Sequence, residues 1–405
     1  MINEYIVGVE VGSSKVSATI GKLDKFGGLK ILGSCFEKCT GVKKGIIINI
    51  DSVAEVAKAC LDNLQKMIDV PINKVYLSIP SGMCRIISSK GVIAISDDKQ
   101  EIKKEDIKRV MEVAKIVQIS KDEEIVDSLS EQYIVDDYTN IDDPVGMKGS
   151  RLEVDAKIIT CKSLFLNNLN KSIDSIDLQV AGTIIQALAD YSHITENADK
   201  SDIALVDVGA DVTNISFFKK GVLTYTSILP LGGSNITSDI AICSGMPLEE
   251  AEEVKIKYGA LNKNYEDVIL KASNGAQIQR YTLEDIIEAR VEEILKFILK
   301  ELNKTGYYND IKNIYVYGGG IALFDGIKEL SEEVLEKPVL ISINSENHHT
   351  FTSLGIVKSV FNEVKLEYET LSNRFEKTNS YENEEDVDTK NNFFSKVKRI
   401  IGEFF

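Results

Sequence analysis

Two stretches of the chain repeat one pattern, and that repeat restricts the possible folds more than any other feature. In Ala204 to Phe218, A-L-V-D-V-G-A-D-V-T-N-I-S-F-F, an apolar run leads into Asp207, Gly209 opens a small polar turn, and apolar character returns at Ile215. In Ile6 to Ile20, I-V-G-V-E-V-G-S-S-K-V-S-A-T-I, the run leads into Glu10, and Gly12, Ser13 and Ser14 make the turn. Each reads as strand, tight turn, strand. A single D-x-G turn is an ordinary hairpin; two in one frame are not. After the first copy come the strand-like Leu29 to Phe36, the helix-like Ser52 to Ile68 and the strand Val75 to Pro80. After the second come Val222 to Leu229, the helix-like Thr282 to Leu302 and the strand Ile314 to Tyr317, which runs into Gly318-Gly319-Gly320. This is the signature of an internally duplicated α/β protein.

The turns suggest phosphate chemistry. Gly and small hydroxyl residues let a turn aim backbone N–H groups into a concavity that takes an anion. Glu10 and Asp207, at the strand ends, are placed to hold Mg²⁺ through water. Lys15 offers a point charge to a β- or γ-phosphate; as a solvated strand lysine it has no such role. Gly232-Gly233 and Gly318-Gly319-Gly320 follow strands and precede helices, so backbone there can approach a nucleotide and helix N-termini can favour an anion. Plain loops are the other reading. Glu252 and Lys255, three apart on one helix, grip a ribose or form a surface ion pair. Two such loops facing each other would hold a nucleotide in a cleft between the halves.

The insertions interrupt the duplicated frame. Residues 82 to about 161 alternate strand-like Arg85 to Ile95, helix-like Lys103 to Val117, strand-like Glu124 to Val135, a polar loop around Asp142 to Met147, and the strand Arg151 to Thr160, a small α+β insert. The amphipathic Ser163 to Ile176, a short strand at Leu178 to Val180 and a small-residue helix at Ile184 to Tyr191 return to the frame. The second insertion, about Ser244 to Ile311, holds a charged helix opened by Pro247 and the helix Thr282 to Leu302. Thr352 to Phe361 is the last helix of the globular part.

A net charge of −16 argues against general nucleic-acid binding. The six cysteines contain no C-x-x-C pair and read as reduced thiols of a cytosolic protein. No apolar run reaches the ~18 residues of a membrane span. Leu366 to Lys390 is acidic and lacks apolar periodicity, as a disordered linker does, with a coil span of roughly 25 Å. In the last fifteen residues, Phe393, Phe394, Val397, Ile400, Ile401, Phe404 and Phe405 share one helical face, while Lys396, Lys398 and Arg399 lie on the other. That pattern suits a helix lying in a membrane interface; docking on the protein's own core or a partner is the alternative.

The order of these motifs resembles the actin/Hsp70/sugar-kinase superfamily and, within it, the FtsA family of bacterial cell-division actin homologues. The resemblance rests on P-L-G-G-S-N-I-T-S-D-I-A (Pro230 to Ala241), A-E-E-V-K-I-K-Y-G (Ala251 to Gly259), D-P-V-G-M-K-G-S-R-L-E-V (Asp143 to Val154), E-A-R-V-E-E-I-L (Glu288 to Leu295), and the linker with its amphipathic tail. It implies an actin-like, ribonuclease H-like ATPase fold. Residues 1–81, 162–192 and 357–365 would form subdomain IA, 82–161 the insert IC, 193–243 with 312–356 IIA, and 244–311 IIB, followed by the linker 366–390 and the membrane-targeting helix 391–405. It implies ATP and Mg²⁺, bound by Gly12, Ser13, Ser14, Lys15, Gly209, Thr213, Asn214, Gly232, Gly233, Glu252, Lys255 and Gly318 to Gly320, with Glu10 and Asp207 toward the metal. It also implies polymerisation, peripheral attachment to anionic lipids on the cytoplasmic side of the cell membrane at the division site, and recruitment of the tubulin homologue FtsZ. The FtsZ C-terminal tail would meet Arg290, Lys296 and Lys300; other division proteins would bind the insert. An actin-like pilus-assembly or cell-shape scaffold, or a sugar kinase of the same fold, is the alternative.

Three departures from the family pattern bear on chemistry. Glu10 stands where Asp is usual. The second turn reads G-A-D-V-T-N where G-G-G-T-T-D is common. Gln186-Ala187 replaces a frequent Glu-Pro at the water-orienting position, and Gln orients water but is a poor base. The expectation is ATP binding with slow or no hydrolysis.

Overall fold

The repeated pattern forms two hairpins of one kind. The computed structural model describes residues 5–23, 28–95, 101–195, 201–262, 265–266, 268–343 and 346–379, with side chains as far as 365. In chain order, β1 (Tyr5–Val11) and β2 (Lys15–Leu23) make the first hairpin, followed by β3 (Leu29–Lys38), the short ladder β4 (Val42–Lys43) and β5 (Ile46–Ile47), α1 (Ile50–Ile68) and β6 (Lys74–Ile79). The insert holds β7 (Cys84–Ala94), α2 (Lys104–Ala114), β8 (Glu123–Val135), β9 (Tyr138–Ile141) and β10 (Arg151–Lys162). Next come α3 (Ser163–Asp174), β11 (Gln179–Ile185) and α4 (Gln186–Ile194), then the second hairpin of β12 (Ile203–Val208) and β13 (Thr213–Lys219), and β14 (Val222–Leu229). The remaining elements are α5 (Gly233–Ser244), α6 (Leu248–Tyr258), β15 (Ile269–Lys271), β16 (Gln277–Gln279), α7 (Arg280–Lys304), β17 (Asn313–Tyr317), α8 (Ile327–Leu335), β18 (Val339–Ile341) and α9 (Phe351–Asn379).

The chain divides into two compact units, residues 5–79, 168–195 and 346–379 in one, and residues 80–167 and 201–343 in the other. The first is built on a sheet of order β11-β6-β1-β2-β3. β1 and β2 pair antiparallel, with Glu10 opposite Ser17 and Val11 opposite Val16. β6 runs parallel to both β1 and β11. α1 forms because Asn49 Oδ1 caps it, accepting from Ser52 N at 3.0 Å, and because Val53, Ala54, Ala57, Cys60, Leu61 and Leu64 recur at helical spacing and bury one stripe. α9 lies against β1 at Gly8, where any Cβ would come 2.6 Å from the Ser353 carbonyl oxygen and 2.8 Å from Ile356 Cβ. The buried hydroxyls of Thr19 and Ser353 meet there at 2.7 Å. Ile6, Ala189, Ile356, Val357 and Val360 complete this apolar cluster.

The second unit repeats the sheet, in the order β14-β13-β12-β17-β18. β12 and β13 pair antiparallel, with Asp207 opposite Asn214 and Val208 opposite Thr213. β17 runs parallel to β12 and to β18. The two sheets therefore share strand order and pairing sense, which establishes the duplication. α7 buries Leu283, Ile287, Val291, Ile294, Leu295, Ile298 and Leu302 along one stripe. The insert is an antiparallel sheet of order β7-β10-β8-β9 with α2 on one face. Its core alternates along β10 through Leu152, Val154, Ala156 and Ile158. Among the described residues no helix is long and apolar enough to cross a membrane.

The structure departs from expectation in five places. α4 starts at Gln186, not Ile184, because β11 carries its pairing with β6 through Ile185 opposite Ile79, and the β-branched Thr183, Ile184 and Ile185 suit a strand. β9 pairs with β8 just ahead of the polar loop at 142–147. β15 and β16 form a hairpin inside the second insertion, turned at Gly275 with φ of +83°. Residues 346–356, expected in IIA, belong to the first unit, since α9 packs on β1 along its opening turns. α9 itself runs to Asn379, so the first part of the expected disordered linker is helical. Residues 380–390 and the amphipathic tail 391–405 lie outside the described residues.

His193, on α4, sits edge-on to Phe351 of α9 with ring centroids 4.5 Å apart. Burial, reinforced by the Lys358 ammonium, pulls its pKa from the usual 6.5 down to about 4. The unfolded chain therefore takes up this proton first as pH falls, and the native state loses stability between about pH 6.5 and 4. The loss from this group reaches roughly 3 kcal/mol by about pH 4, at about 1.4 kcal/mol per pH unit. Urea midpoints measured from pH 7.5 to 4.5 should show His193→Gln with a flatter pH dependence than the parent chain.

Candidate functional site

The first turn, in the first unit, is closed by Gly12 N donating to Lys15 O at 2.9 Å. The segment after β3 braces it. Cys39 N donates to Ser14 O at 2.9 Å, and Gly45 N donates to Ser13 Oγ at 3.2 Å. Ser13 keeps its hydroxyl proton to donate, and Ser14 is exposed. Glu10 accepts a hydrogen bond from Ser17 Oγ at 2.9 Å across the hairpin, which orients its carboxylate. Lys15 Nζ donates to the His348 carbonyl at 2.9 Å. The loop carrying that carbonyl is pinned by a ring stack, His349 on Phe36 at 3.7 Å and His348 on His349 at 3.6 Å. Burial, with His348 and Lys15 alongside, holds the His349 pKa at about 4, so the ring beside the lysine is neutral.

The second turn, in the second unit, has the same closure: Gly209 N donates to Val212 O at 2.9 Å. Both hairpins span four residues between paired valine–valine or valine–threonine positions, so the two turns correspond residue by residue. Glu10 matches Asp207, Gly12 matches Gly209, Lys15 matches Val212 and Ser17 matches Asn214. Only the first turn carries a cation.

Two glycine segments converge on the second turn. Gly233 N donates to Gly209 O at 3.0 Å, Ser234 N to Ala210 O at 2.8 Å, and Gly320 N to Val208 O at 2.8 Å. A Cβ on Gly232 would come 2.5 Å from Ala210 O, and one on Gly233 would come 2.9 Å from Gly320 Cα. Gly318, at φ of +86°, and Gly320 would drive a Cβ into Asp207 Oδ1 and Gly209 O respectively. These glycines are packed closely against the protein's own backbone. They admit backbone against backbone, and the first N–H groups of α5, expected to face an anion, are taken by the carbonyls of the turn. Thr213 and Asn214, expected to touch the nucleotide, are buried: Thr213 Oγ1 donates to Leu231 O at 2.9 Å, and Asn214 Oδ1 accepts from Gly82 N at 3.3 Å. They frame the turn from within.

Lys255 is a buried cation of this unit, 5% exposed. Its ammonium donates to Gly233 O at 3.1 Å and Thr237 Oγ1 at 2.9 Å, and pairs with Glu252 at 2.6 Å. Burial lowers its pKa, and the Glu252 carboxylate opposes that shift. Being buried, it is not the surface ion pair that one alternative describes. It is an internal clamp between α6 and the first turn of α5, while Glu252 keeps a half-exposed carboxylate. Sequence alone shows the i, i+3 pair but not that α5 covers the lysine.

Gln186 opens α4 in the first unit and is buried. Arg290 is already engaged: its Nε and Nη2 bind Asp239 at 2.5 and 2.9 Å, and Nη1 pairs with Glu293. It fastens α7 to α5 through Asp239. Lys296 is exposed beside Glu292 at 2.6 Å, and Lys300 is exposed. Among the described residues no cluster of three or more His, Cys, Asp or Glu is arranged to enclose a metal. Glu10 in the first unit and Asp207 in the second each stand at the end of a strand beside a glycine turn.

Comparison with known proteins adds to this geometry. A family model described as the SHS2 domain inserted in FTSA matches residues 82–160, and one described as cell division protein FtsA matches residues 204–355. The chain is 32% identical over 348 residues to cell division protein FtsA of Pseudomonas aeruginosa, covering 84% of this chain and 83% of that protein. It is 32% identical over 377 residues to cell division protein FtsA of Bacillus subtilis, covering 90% and 85%. The crystal structure of MreB5 of Spiroplasma citri bound to ADP superposes with a TM-score of 0.56 at 12% identity, over 91% of this chain and 99% of that one, a likeness of fold.

Replacing Lys255 by Met keeps the stem but leaves the Gly233 carbonyl and Thr237 without their buried donor. A loss of about 1–3 kcal/mol is expected, read as a lowered thermal midpoint. A variant as stable as the parent would remove the clamp assigned to Lys255.

Proposed function

Because this chain belongs to the FtsA family of cell-division proteins, we propose that it is an ATP-binding, polymerising scaffold that tethers FtsZ filaments to the cytoplasmic face of the cell membrane and helps assemble the division septum. The observation that carries the nucleotide reading is the pair of matched turns. Each has a strand-end carboxylate, a glycine-closed hairpin of the same register and a backbone brace behind it. The ADP in the Spiroplasma MreB5 structure lends support from the same fold.

In this reading Ser13, Ser14 and Lys15 bind phosphate oxygens, and Lys15 exchanges the His348 carbonyl for a phosphate. Gly209 brings backbone close to the phosphates, and the half-exposed Glu252 accepts from a ribose hydroxyl. Glu10 and Asp207 hold the water shell of Mg²⁺, which when bound neutralises phosphate charge. Gly232, Gly233 and Gly318 to Gly320 act by holding the second turn, as Thr213, Asn214 and Lys255 do. Gln186 orients a water molecule, but an amide cannot take its proton, so turnover is slow.

The remaining roles rest on sequence pattern and family. The tail at 391–405, with Phe393, Phe394, Val397, Ile400, Ile401, Phe404 and Phe405 opposite Lys396, Lys398 and Arg399, inserts its apolar face among anionic lipids. Lys296 and Lys300 on α7 receive the FtsZ tail, while Arg290 shapes that surface through Asp239. The insert meets other division proteins, and copies of the chain associate into actin-like filaments.

Asp207→Asn should weaken Mg²⁺-dependent binding of a fluorescent ATP analogue about tenfold, roughly 1.4 kcal/mol, and leave Mg²⁺-free binding little changed. Absence of Mg²⁺-dependent ATP binding in the parent chain would overturn the nucleotide reading. Sedimentation with vesicles containing anionic lipid tests the tether: a chain ending at Lys390 should bind at least about tenfold less than the full chain. Equal sedimentation of the two would remove the membrane role of the tail.

A further inference from the structure

By sequence the six cysteines read as reduced thiols with no C-x-x-C pair among them. The structure pairs two of them. Cys35 lies on β3, an edge strand of the first unit's sheet, and Cys60 on the buried stripe of α1 packed over it. Their sulfur atoms are 2.9 Å apart, and Cys35 Sγ also lies 2.9 Å from the Cys60 carbonyl oxygen. Cys35 is partly exposed and Cys60 fully buried, so Cys35 is the more accessible of the two residues. A thiol contact from Cys60 holds the Cys35 pKa below the ordinary thiol value, and the same contact with burial raises that of Cys60. Reactive cysteines that form regulatory disulfides share this arrangement, an accessible attacking thiol beside a resolving one.

The second pair provides a contrast. Cys84 and Cys161 are opposite each other in the β7–β10 register, but both are buried. Cys243 is exposed, and Cys39 is buried.

We propose that Cys35 and Cys60 are a peroxide-oxidised, reversible disulfide site that locks β3 to α1. In the first step the Cys35 sulfur attacks a peroxide oxygen. An S–O bond forms, the O–O bond breaks, and the departing hydroxide leaves as water with the thiol proton. Cys35 is then a sulfenic acid. In the second step the Cys60 sulfur attacks Cys35 Sγ. The S–S bond forms, the S–O bond breaks, and a second water leaves with the Cys60 proton. Two thiols are oxidised by two electrons in all and one hydrogen peroxide is reduced to two waters. A dithiol reductant reverses the change by exchange at the more accessible Cys35 sulfur.

The closed loop has a consequence for the first turn. It contains Cys39 and Gly45, whose N–H groups brace Ser14 and Ser13. Oxidation thus cross-links the two elements that flank the brace, at a distance from the turn itself.

The test uses the full chain, folded and reduced, exposed to hydrogen peroxide, then blocked with an alkylating reagent, digested without reductant and read by mass spectrometry. The expected product is a Cys35–Cys60 linked peptide two hydrogens lighter than its reduced parts, lost on treatment with dithiothreitol, and at least about tenfold more abundant than a Cys84–Cys161 link. In Cys60→Ser, Cys35 should accumulate as a sulfenic acid that dimedone labels. In Cys35→Ser, no label should appear at Cys60. A linked Cys84–Cys161 peptide with Cys35 still free, or Cys35 carried to sulfinic acid with Cys60 unreacted, would overturn the proposal. Because the linkage is read in the unsubstituted chain, a poorly folding variant does not rescue it.

Discussion

The second turn depends on backbone packed directly against backbone. The carbonyls of Val208, Gly209 and Ala210 each receive an N–H from a neighbouring glycine-rich segment. Such close approach leaves no room for a Cβ at Gly232, Gly233, Gly318 or Gly320. Everything else in that unit's candidate site follows from this contact. α5 must begin where its first N–H groups reach the turn, β17 must end in glycines, and Lys255 must be buried to hold the carbonyl of Gly233. The helix end that carries partial positive charge is turned on the protein's own loop and braces it from behind. The first unit braces its turn from the equivalent place in the frame, after the third strand, through Cys39 and Gly45 in place of a helix end.

This division of labour explains what was legible in the sequence. The duplicated frame was, because apolar runs, turn residues and helical stripes are local signals. The strands β1, β2, β12 and β13, the helices α1 and α7 and the whole insert sheet apart from β9 fall close to where periodicity puts them. The register equivalence of Glu10 with Asp207 was readable too, since it depends only on counting from each glycine. Long-range facts were not readable. That Lys255 is buried depends on α5 covering it, that Arg290 is engaged depends on Asp239 fifty-one positions away, and that Cys35 meets Cys60 depends on where a helix lies over a strand. The boundary of α4 rests on a contact of the same kind, since parallel pairing with β6 carries β11 through Ile185.

The glycines carry the clearest lesson. A glycine-rich run between strand and helix has two physical uses, to admit a ligand or to admit another stretch of backbone, and composition does not separate them. Here Gly232, Gly233, Gly318 and Gly320 serve the second. Thr213 and Asn214 likewise have their hydrogen-bond capacity directed into the protein. On the first turn Ser14 is exposed and Ser13 and Lys15 are partly so, and Glu252 on α6 is half-exposed.

The length of α9 bears on mechanics. Its opening turns are anchored on β1 and α4, and the helix continues to Asn379. As a helix, residues 366–379 reach roughly 21 Å; as a flexible coil, the same residues would have a root-mean-square span of about the same size. The distance is unchanged but the compliance is not. A coil absorbs a pull by straightening, whereas a helix rooted in a sheet passes bending and torque to its base. Load applied to the end of the chain would then be felt at Gly8 and Ser353, a few residues along the chain from Gly12 and His348.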